Sequence, residues 1–510
     1  MFGSLQRIRN ISAPVAGYLM RRLWCDACIV GGGPAGSSAA IRLRQIGLEV
    51  VVIERAQFPR RKIGESLAPS ILPLLDVLGV REQVESAGFP RPVGATVRWH
   101  GDVRFISRAS HHGEGGLQAD RAVFDHILLN FAFQKGARVL MPALAVSARY
   151  DKCWTVSAST QEGNIEITCR YLLDGAGRRG FLKHARRTRL MPSTLALFAY
   201  WTDHNLHSSE TRVEAFSDGW FWAAPLSNDQ ANIAVFIDPK GRTLTQGDLE
   251  RPYRALLSRS LLLRRCLEGC MVSPVIGCDA AANMAQEPIG EGYVRLGDAA
   301  MCIDPLAGQG THLAIMMGLQ AAAVTNTVLS TPTCREIAEQ FYRNQVARWA
   351  QHFSAISAEF YAERAEVDPS TFWTTRAHGF PSIGNPPRAA TTTKDLDPDT
   401  RLFWSTNAQF TIAGILIKDR IEEALVIFCR VGDRSIAFLG GVPVRQVAEH
   451  LLEPGRAYQI AARLVPYMGE RAAVETVLKL WQFRVLATDE SERENHKIIV
   501  PTQPLMGVAN

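Results

Sequence analysis

The sequence has no long unbroken apolar run, no regular cysteine spacing and no strong excess of charge. A helix that spans a bilayer needs roughly 18 apolar residues, and the nearest approach, residues 313–329, is interrupted by polar side chains such as Gln320. The 10 cysteines are scattered between Cys25 and Cys429, without the spacing of zinc ligands or of a secreted disulfide scaffold. We therefore predict no membrane span, no metal site and a cytoplasmic location.

Charge and composition exclude further classes. A net charge of +6 over 510 residues, with 47% hydrophobic residues, is typical of a globular protein, and no basic stripe for nucleic acid is present. This length predicts two or three domains. Residues 1–24 contain several arginines and no acidic residue. This composition is typical of an organellar transit segment or of an ordinary N-terminal arm. A secretory signal is not expected, because Arg21 and Arg22 follow a short apolar part without a cleavage site.

The chain does contain a βαβ unit with a glycine turn. A short apolar run precedes Gly31-x-Gly33-x-x-Gly36, and a helical stretch then leads to a second apolar segment, Val50–Ile53. Gly31 permits a tight turn, Gly33 lets the backbone approach a pyrophosphate, and Gly36 lets the helix pack on the strand. The helix N-terminus offers N–H donors to the anion, and Glu54 follows the second strand, where it can accept hydrogen bonds from ribose hydroxyls. The pattern predicts a dinucleotide site.

Two further signals lie far along the chain. One is the segment 172–178, which contains Asp174-Gly175, and the other is the segment 295–300, which contains Gly297-Asp298 and leads into a glycine-rich turn at 304–310. A plain dehydrogenase needs no second distant cofactor motif. Together these motifs resemble the FAD-dependent family that contains aromatic hydroxylases and flavin-dependent halogenases, over about residues 25–380.

The resemblance implies FAD as the cofactor. It places the Asp298 carboxylate on the flavin ribityl chain and the amides of Gly308–Gly310 near the flavin pyrimidine edge. Arg121, which opens a helix, matches the family's cofactor-contacting arginine, although a charge on the helix surface is the alternative interpretation. The predicted cofactor-binding residues are Gly31, Gly33, Ala35, Gly36, Glu54, Arg55, Ser66, Arg121, Gly297, Asp298, Gly308 and Gly310.

Two segments resemble halogenases in particular. Residues 58–67, which contain Gly64-Glu65-Ser66, are similar to the halogenase loop that packs beside the isoalloxazine. Residues 220–225 resemble the halogenase W-x-W-x-I-P pattern, with Ala224 at the isoleucine position. Strand alternation places Trp220, Trp222 and Ala224 on one face, where the two tryptophans form either a catalytic element or a wall.

Two departures then separate the chain from halogenases. In the stretch G-F-x-x-K-x-G-A, whose lysine delivers the halogen, this chain has Pro92 at the lysine position and the permanently protonated Arg91 beside it. The turn after Pro305 lacks the hydroxyl side chains that help hold halide and is closer to the G-x-G turn of flavin hydroxylases. The predicted catalytic residues are therefore Trp220, Trp222, Pro305 and His312, of which His312 is either a proton donor or a structural histidine.

These departures favour an FAD-dependent monooxygenase that hydroxylates an electron-rich aromatic ring through a flavin C4a-hydroperoxide. A halogenase-like body without the lysine also resembles the monooxygenases that hydroxylate a peptide-borne tryptophan during maturation of tryptophylquinone-containing amine dehydrogenases. The expected partners are an aromatic small molecule or a peptide or protein substrate, together with a separate flavin reductase. The alternatives are a halogenase, a flavin-binding module without oxygenation, and a reductase of isoprenoid double bonds.

The predicted fold is α/β, with a Rossmann-like FAD-binding domain of the glutathione-reductase type, a β-rich substrate domain and a small α+β C-terminal module. The order of elements in that module is compatible with a winged helix. The predicted boundaries are 1–24 for the arm, 25–185 and 275–380 for the FAD-binding domain, 186–274 for the substrate domain, 381–401 for a linker and 402–510 for the C-terminal module.

Overall fold

The structure is a computed structural model that describes residues 21–107, 115–182, 186–207, 210–227, 229–240, 248–378, 396–432 and 434–488. Residues 1–20 of the predicted arm, 381–395 of the predicted linker and 489–510 of the predicted C-terminal module lie outside the described residues. The first strand begins at Arg21 and pairs from there with Ile165 and its successors. Residues 21–24 therefore belong to the sheet, which corrects the predicted end of the arm.

The first sheet is the Rossmann-like sheet expected from the βαβ pattern. Its central strand, Arg21–Val30, lies parallel to Val50–Ile53 on one side and to Gly163–Asp174 on the other. Every residue of Val50–Ile53 is buried, which is typical of a parallel strand covered on both faces. Across the sheet the strand order is Ile289–Gly290, Tyr293–Arg295, Gly163–Asp174, Arg21–Val30, Val50–Ile53 and Arg138–Leu140, and the hairpin Ala143–Asp151 and Cys153–Thr160 extends Gly163–Asp174.

Helices cover this sheet and connect it to the rest of the molecule. Helix Pro34–Gln45 packs against helix Gly310–Ser330, where a Cβ on Gly318 would collide with the Ala35 carbonyl. Helix Gly310–Ser330 is long and apolar enough to cross a membrane, but 56% of its apolar window is buried inside the protein, as in the core helix of a globular domain. The other α-helices of this part are Ile71–Leu78, Arg81–Ser86, Arg121–Gln134, Arg335–Val367 and Thr371–Ala377.

The second sheet is largely antiparallel and forms the β-rich unit. One face packs on the FAD-binding domain, and helix Glu250–Leu257 covers the other with Tyr253, Leu256 and Leu257. Its strand order is Cys270–Met271, Leu195–Thr202, Ala231–Ile237, Gly219–Pro225, Glu210–Phe216, Gly94–Arg98 and Val103–Ser107, with Ile276–Asp279 also paired to Leu195–Thr202. This sheet thus extends beyond the predicted range 186–274 on both sides. Smaller sheets join Arg187–Arg189, Asn283–Ala285 and Met301–Cys302, and Ser66–Leu67 with Leu117–Gln118.

The C-terminal module has its own core and a hairpin that reaches the FAD-binding domain. At the hairpin tip, Asp419 forms an ion pair with Arg42 and accepts a hydrogen bond at its carbonyl from Asn326 at 2.8 Å. The order helix, strand, helix, helix, strand after residue 443 is compatible with the winged-helix prediction. The elements are Arg401–Trp404, Ala408–Ile417, Arg420–Cys429, Arg434–Ile436, Phe438–Leu439, Val442–Pro443, Gly455–Arg456 and Leu486–Ala487 as strands, and Val444–Leu452, Ala457–Met468 and Glu470–Gln482 as helices.

Candidate active site

The glycine turn has the shape that a pyrophosphate requires. Gly31 adopts φ +106°, and an added Cβ there would collide with the Gly175 carbonyl, while a Cβ on Gly36 would collide with the Gly31 carbonyl. Gly33 is the N-cap of helix Pro34–Gln45, and an added Cβ there would meet only the Arg60 guanidinium, at 3.4 Å. The helix N-terminus therefore stays open to an anion, and a basic side chain stands beside it.

Glu54 and Arg55 follow the second strand, as predicted. The buried Glu54 carboxylate accepts hydrogen bonds from the backbone amides of Gly32 at 2.7 Å and Ala56 at 2.8 Å. Because a carboxylate offers about four acceptor positions, positions remain for ribose hydroxyls. The Arg55 side chain is exposed. Glu54 thus shapes the glycine turn in addition to any contact with a ribose.

Gly297 and Asp298 lie directly against the glycine turn. Gly297 adopts φ +57°, and an added Cβ would come within 2.9 Å of the Ala35 methyl group. The Asp298 side chain is 43% exposed, with Arg178 at 3.9 Å. A crevice is lined by Gly297, Asp298 and Gly310 among others. The two distant sequence motifs therefore meet, and the open crevice with a half-exposed carboxylate fits the ribityl chain of FAD.

The turn after Asp304 leads into Gly310, which lines this crevice. Asp304 caps the short 3-10 helix Pro305–Ala307 by accepting a hydrogen bond from the Leu306 amide at 3.0 Å. Gly308 adopts φ +63°, and a Cβ on Gly308 or Gly310 would meet nothing within 4 Å. Helix Gly310–Ser330 begins there, so its N–H groups and positive dipole face the open space. A flavin ring that becomes negative on reduction would be stabilised at this position.

His312 lies in the first turn of that helix and is partly buried. Its Nδ1 lies 3.3 Å from the Ser70 hydroxyl, and burial lowers the pKa of its imidazole. The ring is therefore neutral near pH 7. This environment favours the structural role over that of a proton donor.

Arg121 is buried and held in a fixed orientation. Its guanidinium binds the Asp125 carboxylate through Nε at 2.8 Å and Nη2 at 3.2 Å. Nη1 donates to the Ile63 carbonyl at 2.9 Å and to the Thr311 hydroxyl at 3.0 Å. The alternative of a helix-surface charge is wrong, because only 7% of Arg121 is exposed. Arg121 instead joins the loop 58–67 to the start of helix Gly310–Ser330.

Trp220 and Trp222 share one face of strand Gly219–Pro225, as the alternation predicted. Trp220 is buried and stacks on Phe236 at a centroid distance of 3.9 Å. Trp222 is only partly buried. Both side chains pack with the core of the FAD-binding domain, whereas Phe221 faces the opposite core. Trp220 therefore braces the sheet, and Trp222 is the better placed of the two to contact a substrate.

Asp304 also belongs to a buried polar cluster behind the cofactor turn. The Tyr361 hydroxyl lies 3.2 Å from both of its carboxylate oxygens, and burial raises the pKa of Asp304. Burial and the Asp304 carboxyl group raise the pKa of Tyr361, and the indole N–H of Trp220, which lies nearby without reaching hydrogen-bond geometry, opposes that rise. Trp220 and the turn that contains Pro305 are thus connected through Tyr361.

The segment 88–95, which corresponds to the halogenase lysine stretch and is described throughout, contains no free cation. Pro92 is buried. The Arg91 guanidinium binds both oxygens of Glu85, at 2.7 and 2.6 Å, and donates to the Gly115 carbonyl at 2.7 Å. Arg91 is therefore held in a surface ion pair and cannot replace the lysine.

The Asp174-Gly175 motif serves the fold. The buried Asp174 carboxylate forms an ion pair with Arg295 at 3.0 Å and accepts hydrogen bonds from the amides of Phe181 and Leu182. Gly175 lies against the glycine turn at Gly31. This motif shapes the loop after strand Gly163–Asp174.

Several site residues were not found by sequence reasoning. Ser66 was predicted, but the buried Glu65 beside it contacts Tyr200 and Asn232 on the second sheet, and these two carry no motif. Tyr361 lies far along the chain from Asp304. The Gly-Glu-Ser segment was a signal for Glu65, whereas the other contacts depend on the packing of distant strands and helices, which no local pattern encodes.

Comparison with known proteins identifies the family. Residues 24–243 match the family described as FAD binding domain. The tryptophan 2-halogenase of Chondromyces crocatus is 30% identical over 378 residues, which span 70% of this chain and 71% of that protein. Flavin-dependent halogenase armH4 of Armillaria mellea is 29% identical over 398 residues, 68% of this chain and 74% of that protein.

Two solved structures share the fold over nearly the whole chain. The flavin-dependent halogenase CmlS superposes with a TM-score of 0.76 at 20% identity and covers 95% of this chain and 99% of its own. The peptidyl tryptophan dihydroxylase QhpG, essential for tryptophylquinone cofactor biogenesis, superposes with a TM-score of 0.70 at 21% identity, over 90% and 99%. The chain therefore belongs to the superfamily of FAD-dependent monooxygenases and flavin-dependent halogenases, as an oxidoreductase with FAD as its cofactor.

Proposed function

We propose that the protein is an FAD-dependent monooxygenase that hydroxylates an electron-rich aromatic ring. The observation that carries this proposal is the segment 88–95, where halogen delivery requires an ammonium group. Pro92 offers none, and Arg91 is held by Glu85 and the Gly115 carbonyl. The turn with Ala307, Gly308 and Gln309 offers no hydroxyl side chain to a halide. Oxygen transfer needs neither group.

We infer further that the ring is a tryptophan side chain within a peptide or protein. QhpG, whose name describes peptidyl tryptophan dihydroxylation, shares the fold over 90% of this chain, and that share includes the C-terminal module. When bound, FAD supplies the reaction of a reduced flavin with dioxygen. The chain's own residues orient the ring at Trp222 and exclude water. A separate flavin reductase is the proposed source of electrons.

Product analysis tests the proposal. Purified protein is incubated with FAD, NADH, a flavin reductase, dioxygen and equal chloride and bromide, with N-acetyl-tryptophanamide and a tryptophan-containing peptide as probes. The expected product gains one or two oxygen atoms, which become isotopically heavy when labelled dioxygen is supplied. A product that gains chlorine or bromine instead would contradict the proposal.

A halogenase is the second candidate, favoured by the identity with a tryptophan 2-halogenase. Lys62 is the lysine in the loop 58–67, and its side chain is exposed. If Lys62 delivered the halogen, then Lys62→Met would abolish halogenation and leave FAD binding intact. Under the monooxygenase proposal, the same variant hydroxylates at a rate close to that of the unmodified enzyme.

A further inference from the structure

The segment 58–67, here called the strap, touches both cofactor motifs. The Arg60 guanidinium stands next to the open side of Gly33. The Ile63 carbonyl accepts a hydrogen bond from Arg121, and the Gly64 carbonyl lies 3.4 Å from the Thr311 hydroxyl. The strap is thus attached to the glycine turn and to the start of helix Gly310–Ser330.

The opposite side of the strap is attached to the second sheet. The Tyr200 hydroxyl lies 3.3 Å from the Lys62 carbonyl, and the Arg61 guanidinium stacks over the Tyr200 ring at 4.9 Å. Tyr200 and Asn232 are directly paired on neighbouring strands. The sheet that carries Trp220 and Trp222 therefore presents two polar side chains to the strap.

Glu65 is the residue at which these attachments converge. Its carboxyl group accepts hydrogen bonds from the Gly64 amide at 2.7 Å, the Tyr200 hydroxyl at 3.0 Å and the Asn232 amide at 2.6 Å. The side chain is fully buried. A buried polar group is retained only where its partners compensate for lost hydration, and here every partner is a donor. The carboxyl group therefore holds three donors from two parts of the molecule at one point.

We propose that Glu65 is a positioning residue of the cofactor site, whose buried carboxyl group fixes the strap between Arg121 and the flavin-facing side of the second sheet. This role goes beyond the proposed function, because it applies equally to oxygen transfer and to halogenation. The predicted cofactor residues lie on the side of the glycine turn, whereas Glu65 holds the loop that resembles the segment beside the isoalloxazine.

The charged groups around the strap agree with this role. Burial raises the pKa of Glu65, and its hydrogen bonds from Asn232, Gly64 and Tyr200 offset only part of that rise. Burial lowers the pKa of Arg121, but the carboxyl groups of Asp125, Glu65 and Asp298 outweigh burial, so that the pKa of Arg121 is raised overall. The pKa of Tyr200 is raised by burial and by Glu65, so the Tyr200 hydroxyl keeps its proton and donates a hydrogen bond to Glu65. The Glu65 carboxyl group and the positive Arg121 thus lie on the two sides of the strap.

The test compares Glu65→Gln with a matched buried carboxylate on the second sheet. Glu214 is also buried and accepts hydrogen bonds from the Leu261 and Leu262 amides at 2.9 and 3.0 Å, but it does not contact the strap. Apoprotein of each variant is titrated with FAD, and the two-electron midpoint potential of bound FAD is measured. Glu65→Gln should weaken FAD binding about tenfold or more, as expected for lost hydrogen bonds to a buried group, and should shift the potential because the loop beside the flavin is no longer held in place.

The control Glu214→Gln should change neither quantity, although both variants lose thermal stability. Tyr200→Phe keeps the ring under Arg61 and removes only the hydroxyl, so it should weaken FAD binding in the same direction but less. Tyr200→Phe also tests the proposal if Glu65→Gln does not fold. Unchanged FAD affinity and potential in Glu65→Gln, equal changes in Glu214→Gln, or unaltered affinity in Tyr200→Phe would each overturn the proposal.

Discussion

Gly297 lies against Ala35, so that a methyl group on Gly297 would stand 2.9 Å from the Ala35 Cβ. These residues are far apart in the sequence, and each belongs to one half of the predicted cofactor motif. Their contact joins the glycine turn to the carboxylate of Asp298. Whatever reaction the enzyme performs, it depends on this contact.

Gly297→Val should therefore abolish FAD binding. The valine would clash with Ala35, and it would be strained at φ +57°, a conformation that β-branched residues rarely adopt. The measurement is FAD content after purification, together with the melting temperature of the apoprotein. Gly441→Val is the matched control, because Gly441 in the C-terminal module also has a positive φ, of +84°, but open space at its Cβ position. A yellow, fully loaded Gly297→Val protein would contradict the assigned site.

Arg121→Met should both destabilise the protein and weaken FAD binding. Removing Arg121 leaves the buried Asp125 carboxylate with Arg60, at 3.4 Å, as a weaker cationic partner, and breaking a buried ion pair costs about 3–5 kcal/mol. The double variant Arg121→Met/Asp125→Asn removes that charge and should regain most of the stability while FAD binding stays weak. Denaturant unfolding and FAD titration separate the two effects. If the double variant recovered full affinity for FAD, the role of Arg121 would be structural only.

Tyr361→Phe should lower the stability and disturb the turn that contains Pro305. The substitution removes the hydroxyl that lies 3.2 Å from both Asp304 oxygens and leaves a buried carboxylate with one donor fewer, which costs about 1–3 kcal/mol. Because burial raises the pKa of Asp304, its stabilising contribution is present at low pH and decreases as the pH rises. The loss in Tyr361→Phe should therefore be smallest at low pH, where Asp304 is protonated, and should increase as the pH rises through the raised pKa of Asp304, as measured by urea unfolding over a pH series. A loss of the same size at every pH would contradict a hydrogen bond that is strongest to the ionised carboxylate.

Elements that are specified by neighbouring residues, such as a capped helix, could be predicted from the sequence, whereas the contacts between distant strands could not. Asp120 caps helix Arg121–Gln134 by accepting a hydrogen bond from Ala122, and this capping pattern is readable in the sequence. Strand Gly94–Arg98, by contrast, joins the second sheet by parallel pairing with residues 210–214. No local pattern specifies that partner, because pairing between distant strands depends on the whole fold. For the same reason Glu65 could be noticed in its motif, but its contacts with the second sheet could not.

His312→Gln should change the pH dependence of stability more than it changes catalysis. Burial lowers the pKa of His312, so the unfolded chain binds a proton more readily than the folded protein does. Above the unfolded-state pKa of about 6.5, the histidine is neutral in both states and does not lower the free energy of unfolding. Below that pH the unfolded state binds a proton more readily, so the stability falls. In His312→Gln this acid-induced loss should be smaller between pH 7 and pH 5, as measured by melting temperature. Since the introduced glutamine can still accept a hydrogen bond from Ser70, turnover at pH 7 should remain close to that of the unmodified enzyme. A loss of turnover of about a hundredfold, the usual effect of removing a general acid, would instead identify His312 as the proton donor.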